Sequence, residues 1–187
     1  MSKELINIYT EATPNPETMK FVANRMILPD DSADFQTRQA ALRSPLATKL
    51  FEFPYVNAVF IMNNFVTVTK LSTYEWYDIM GELKEFVKAY LESGAEIVKP
   101  IEKVEDNAED TETVRKIKNM LDTYVKPAVE MDGGAIAFKS FEEGVVKVEL
   151  RGSCSGCPSS TITLKAGIEN MLKRMVPEVE AVEAEAM

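Results

Sequence analysis

Apolar residues recur along this chain with two periods, and the changes of period mark the elements. "INIYTEAT" (6–13) alternates and predicts a strand. "TPNPET" (13–18) is turn chemistry, its two prolines restricting the residues before them. "MKFVANRMIL" (19–28) predicts a second strand, and "DDSADFQT" reads as a loop. Ser44 followed by Pro45 is an N-cap with a first-turn proline, opening a short helix over "LATKLFEF". "AVFIMNNFVTVTK" (58–70) places two apolar runs around Asn63 and Asn64, a hairpin signal. Over residues 73–93, Trp76, Ile79, Met80, Leu83, Phe86, Val87, Tyr90 and Leu91 fall at helical spacing, with Gly94 where a helix-ending glycine belongs. That stripe is a core face for packing against a sheet rather than a ligand box.

The pattern starts afresh in the second half. Val114, Ile117, Leu121, Val125 and Val129 mark a helix, with a kink or early end expected near Pro127. Asp132-Gly133-Gly134 reads as a turn, "AIAF" and "VVKVEL" as the arms of a second hairpin around "KSFEEG". Leu164, Ile168, Met171, Leu172 and Met175 define a last helix that Pro177 stops, and "EVEAVEAE" adds a short final strand. Both halves run helix, hairpin, helix, but their residues do not match as a repeat. The predicted fold class is α+β: two small α/β domains, each with a β-hairpin sheet packed against helices, joined by an acidic linker. The boundaries are 1–97, a linker at 98–111, and 112–187.

Charge supports that division. The net charge is −9, and residues 96–111 hold six acidic and two basic side chains. "VKPIEKVEDNAEDTE" carries Pro100 and no sustained apolar face, so its like charges extend it. No region is basic enough to attract a phosphate backbone, which disfavours nucleic acid as a partner. The apolar runs fall far short of the ~20 residues a membrane span needs. The N-terminus has no apolar signal core, so a soluble, cytoplasmic protein is expected. With 45% apolar residues, a core is available to each half.

The candidate chemistry lies in "RGSCSGCPSS" (151–160). It holds Cys154 and Cys157, the only two cysteines, in a chain without histidine. A disulfide between them would close a tiny loop and stabilise little, so the pair is chemical rather than structural. The loop follows a predicted strand and precedes a helix with Pro158 at its first turn; Ser159, Ser160 and Thr161 are available as caps. A helix N-terminus, with Arg151 and Lys165 nearby in sequence, favours thiolate, and Gly152 and Gly156 allow a sharp turn. Three functions fit: a dithiol/disulfide redox pair, half of a zinc site, or half of an iron–sulfur site. Either metal centre needs four ligands, which two chains related by a twofold axis would supply. The redox reading is disfavoured because the flanking elements read as a hairpin plus helices and not as a βαβ unit.

The stretch from "MDGG" through "GVVKVEL" to "GSCSGCPSSTITLKAGIE" closely resembles the C-terminal domain of the NifU/Nfu iron–sulfur scaffold family. "TEATPNPETMKF", "SPLATKLF" and "FVTVTK" are similar to the Nfu N-terminal domain. The resemblance covers nearly the whole chain apart from the linker. It implies a carrier, not an enzyme, that holds a labile cluster between two subunits and passes it to apo-proteins. The cluster implied is [4Fe–4S], with [2Fe–2S] as the alternative. Cys154 and Cys157 take the ligand roles, a homodimer forms when the cluster is bound, and the partners are apo iron–sulfur clients and an upstream cluster donor. NifU proteins proper carry further cysteine-bearing modules upstream; their absence from this sequence implies the carrier role rather than self-contained assembly. A dithiol oxidoreductase and a zinc-bridged dimer remain the alternatives.

Overall fold

The computed structural model describes residues 5–100, 110–155 and 158–186. Most of the acidic stretch at 98–111 and one of the two cysteines, Cys157, lie outside them. The chain divides into two compact units, Met1–Pro100 and Ile101–Met187. Among the described residues no helix is long and apolar enough to cross a membrane. Both units combine a sheet with helices, as an α+β chain should.

The first unit is a five-stranded antiparallel sheet in the order β1-β2-β5-β4-β3, from β1 (Ile8–Ala12), β2 (Thr18–Ala23), β3 (Leu28–Phe35), β4 (Val56–Asn63) and β5 (Phe65–Lys70). Two helices accompany it, α1 (Pro45–Leu50) and α2 (Trp76–Glu92). Ile79, Leu83, Val87 and Leu91 of α2 are buried in one core with Phe21, Phe35, Val59, Ile61, Val66 and Val68 of the sheet. Each fully buried large side chain there contributes roughly 2 kcal/mol. Asn63, at φ 47°, turns β4 into β5, and Gly94 follows α2 at φ 70°, the left-handed conformation that ends a helix.

Two expectations change here. The run 19–28 is not one strand: β2 ends at Ala23, the chain turns, and β3 begins at Leu28. "DDSADFQT" is not a loop but most of β3, an edge strand paired with β4 through Ser32↔Met62 and Phe35↔Val59. An edge strand buries one face, and only Ala33 and Phe35 alternate inward. The intervening polar side chains and Pro29 gave the segment its loop-like composition. Proline is tolerated on an edge, and the register shift between Leu28 and Ser32 accommodates it.

The second unit has a three-stranded sheet, β6 (Gly134–Glu142), β7 (Val145–Gly152) and β8 (Ala181–Ala186), in the order β6-β7-β8. Glu143 (φ 49°) and Gly144 (φ 79°) form a two-residue turn between β6 and β7 with both residues left-handed. The strands therefore run longer than "AIAF" and "VVKVEL", through most of "KSFEEG". β8 pairs with β7 in parallel, Val146↔Val182 and Val148↔Ala184, and α5 (Pro158–Met175) carries the chain between them. The cysteine motif thus lies in a βαβ unit, contrary to expectation. The short sequence after Pro177 gave no sign of which direction its strand would pair.

Helices α3 (Glu112–Met120) and α4 (Lys126–Met131) are joined by a π-helical turn, Leu121–Val125, just before Pro127, where a kink or an early end was expected. An α turn would drive the proline ring towards the carbonyl four residues earlier, and the wider π turn relieves this. The Lys126 N–H reaches back five residues to Leu121 O. Ile117, Leu121, Val125 and Val129 recur every four residues, wider than the 3.6 of an α-helix, and the π turn keeps all four buried. Together with Val146, Val148, Leu150, Ile168, Leu172 and Val182 they make the core of this unit.

The N-cap of α1 also anchors the chain beyond α2. Ser44 Oγ accepts from Ala47 N–H at 3.0 Å and donates to Ile97 O at 2.6 Å, while Lys99 N–H donates to Arg43 O at 2.8 Å. Ser44→Ala should therefore cost about 2 kcal/mol of stability, more than a cap alone, because two partners lose a bond. Urea unfolding of the chain checks this; a loss below ~0.5 kcal/mol would show that the bond to Ile97 is replaced by water.

Candidate metal centre

The loop after β7 is built by glycine geometry and serine hydrogen bonds. Gly134 pairs with Gly152 where β6 starts and β7 ends. Gly133 (φ 81°) and Gly152 (φ 67°) both take the left-handed conformation, so the chain turns sharply on each side of that pair. Ser155 N–H and its Oγ–H both donate to Gly152 O, at 3.1 and 2.8 Å, closing a tight turn over 152–155. Ser153 N–H donates to Gly133 O at 3.3 Å, and its hydroxyl donates to Asp132 O. Thr161, in the first turns of α5, donates its hydroxyl to Cys154 O at 3.1 Å. Strand, turn and helix thereby converge on Cys154.

Cys154 is 6% exposed and belongs to the core of the second unit. Its Sγ lies 3.8 Å from Ser153 Oγ, with either atom able to donate. A Cβ on Gly134 would fall 3.0 Å from that sulfur and 2.6 Å from Arg151 O. No side chain fits there without a shift, so "GG" in "MDGG" is more than a turn: the second glycine clears room for the thiol. Two consecutive glycines, where one would make the turn, were the only sequence signal for this. Ser153 was also missed, since a serine next to a cysteine carries no signal of its own.

Pro158 opens α5, as expected. Thr161, expected as a cap, donates its hydroxyl to the Cys154 carbonyl. Arg151, expected to lend positive charge to the thiols, places its Nε 2.5 Å from Glu149 Oε1. Lys139 Nζ lies 2.6 Å from Glu149 Oε2. Glu149 is buried, and burial pushes its carboxyl up, but Lys139 and Arg151 outweigh that and hold it below the ordinary carboxylate value. Lys139 is raised in return, through its hydrogen bond to Glu149. Among the described residues no three His, Cys, Asp or Glu side chains gather to hold a metal ion.

Two family models cover this geometry and the first unit. "Scaffold protein Nfu/NifU N terminal" matches residues 8–94, and "NifU-like domain" matches residues 117–183. The chain belongs to the Nfu/NifU family. The "NFU1 iron-sulfur cluster scaffold homolog, mitochondrial" of Homo sapiens is 42% identical over 179 residues, 94% of this chain and 70% of that protein. Its namesake in Drosophila persimilis is 42% identical over 187 residues, 98% of this chain and 66% of the relative. The chain therefore spans about two thirds of the length of these Nfu relatives. A NifU-like protein from Saccharomyces cerevisiae, solved by NMR, is 25% identical with a TM-score of 0.49, covering 54% of this chain and 92% of its own.

A carboxyl held below its unfolded value contributes stability above that value, near ~4.3, and loses it as pH falls through the lower folded value. Glu149→Gln should remove that acid-sensitive contribution. Chemical unfolding at a series of acidic pH values should show a steeper loss of stability in the parent chain than in Glu149→Gln. Equal slopes would mean that Lys139 and Arg151 do not hold the Glu149 carboxyl below its unfolded value.

Proposed function

We propose that this chain is an iron–sulfur cluster carrier: it holds a labile [4Fe–4S] cluster between two subunits and hands it to apo-proteins, with no catalytic turnover of its own. One observation carries the reading. Cys154, the first cysteine of a CxxC pair, sits on a glycine-shaped turn between β7 and α5 within the segment that matches the NifU-like domain. The donor set suits the cargo. Thiolates are the ligands of iron–sulfur clusters, and the chain offers two cysteines and no imidazole. A thiolate at the depth of Cys154 is costly without a cation beside it, and iron supplies that charge.

Cys154 and Cys157 are the proposed ligands, two per subunit, and a homodimer completes the four. Coordination shared across a subunit contact makes release easier than four thiolates within one rigid chain. The proposed C-terminal domain, 112–187, carries the cluster. The proposed N-terminal domain, 1–97, contains neither cysteine nor histidine and recognises donors and clients. The segment 98–111 serves as the acidic linker between them. The cytoplasm is the proposed compartment; the word mitochondrial in the relatives' names supplies the alternative, and fractionation of cells carrying the tagged chain separates the two.

The βαβ setting of the cysteine loop favours one second reading, a dithiol oxidoreductase. Colour separates the readings. Anaerobic reconstitution with iron and sulfide should give a brown protein, and Cys154→Ser or Cys157→Ser should abolish the colour while circular dichroism of the apo-protein stays unchanged. A chain that stays colourless yet reduces protein disulfides catalytically would replace the carrier by the oxidoreductase. Transfer gives a separate check. Loaded protein should restore an apo [4Fe–4S] enzyme faster than free iron and sulfide do, and an iron chelator should not block it. Restoration only at the rate of release into solution would make the protein a store.

A further inference from the structure

We propose that Ser153 is a positioning residue for the cluster ligand Cys154, acting as a hook that fastens the ligand loop to the Asp132–Gly134 turn. The proposal rests on the carrier reading for its purpose but on the apo geometry for its content. Ser153 is 2% exposed, and its backbone and side chain bind the same turn. The amide donates to Gly133 O at 3.3 Å, and the hydroxyl donates to Asp132 O. The next residue is Cys154, whose sulfur rests beside Gly134, the third residue of that turn, only 3.0 Å from where a Cβ would stand. Hook and vacancy are complementary: Ser153 pulls the loop down, and Gly134 leaves the room it is pulled into.

The arrangement has a consequence for a ligand that must be reloaded. A cysteine on an open loop loses its position each time its metal departs, and each reloading must order it again. Here the turn from Gly152 to Ser155 is held by bonds that involve no metal. Ser153 Oγ also stands 3.8 Å from the sulfur; with its own proton given to Asp132 O, it can accept a weak hydrogen bond from the Cys154 thiol.

The experiment has an apo arm and a loaded arm, both on the full chain. In the apo arm, iodoacetamide alkylates Cys154 in a Cys157→Ser background at one fixed pH. Ser153→Ala should speed alkylation roughly fivefold, the factor one net hydrogen bond is worth, while circular dichroism shows the fold intact. Ser153→Thr, which keeps the hydroxyl, should restore the slow rate. In the loaded arm, with both cysteines present, Ser153→Ala should shorten the lifetime of the reconstituted cluster under chelator and alter its visible circular dichroism; Ser153→Thr should restore both. Should Ser153→Ala fail to fold, the parent chain decides: the Ser153 amide should exchange with deuterium as slowly as the β7 amides, and exchange at the rate of an unstructured peptide overturns the hook. A folded Ser153→Ala with parental alkylation and parental cluster lifetime also overturns it. If no form takes up a cluster but alkylation responds as stated, the carrier reading fails and the hook stands. If the cluster binds and alkylation does not respond, the hook fails and the carrier reading stands.

Discussion

The absence of a side chain at residue 134 lets the Arg151 carbonyl and the sulfur of Cys154 both approach its backbone. A Cβ there would meet the Arg151 carbonyl at 2.6 Å and the sulfur at 3.0 Å. Much of the second unit's architecture is arranged around this close approach. β6 and β7 pair from Gly134↔Gly152 down to the turn at Glu143 and Gly144, which fixes the register that brings those two glycines opposite each other. The parallel β8 and the crossing α5 then close the unit over Val146, Val148, Leu150, Ile168 and Leu172. A slip of one residue in the hairpin would put a side chain where the sulfur lies and turn the core-facing valines outward.

The site combines a rigid base with an economical ligand set. Strand pairing holds Gly134 and Gly152, and hydrogen bonds from Ser153 and Ser155 hold the turn between strand and helix. Thr161 ties the start of α5 to the Cys154 carbonyl. Nothing in this set depends on a metal. The proposed function uses it in that sense: a domain held by its own hydrogen bonds and core need not fold or unfold as the cluster is loaded and unloaded. This differs from small zinc-folded modules, in which binding free energy is folding free energy.

Much of this was legible in the sequence where a segment obeys one strong local rule. The helical stripe from Trp76 to Leu91, the Ser44–Pro45 helix start and the turn at Asn63 each state their structure in residue type and spacing. The segment Leu28–Phe35 was not legible, because an edge strand with one buried face and a proline has the composition of a loop. The π turn was half legible: a four-residue recurrence from Ile117 to Val129 does not fit an α-helix, and Pro127 supplies the reason. The parallel pairing of β8 was not legible, since six residues of alternation state a strand but not its neighbour. CxxC pointed directly to the candidate site, whereas Gly134 and Ser153 emerged only once the strands placed residues some twenty apart side by side.

The central claim is that one cluster is shared by two chains. Native mass measurement of the anaerobically reconstituted protein, with iron counted on the same sample, tests it most directly. The account predicts a dimer with one [4Fe–4S] cluster, about two irons per chain, that dissociates when the cluster is removed. A monomer holding a complete four-iron cluster would contradict it.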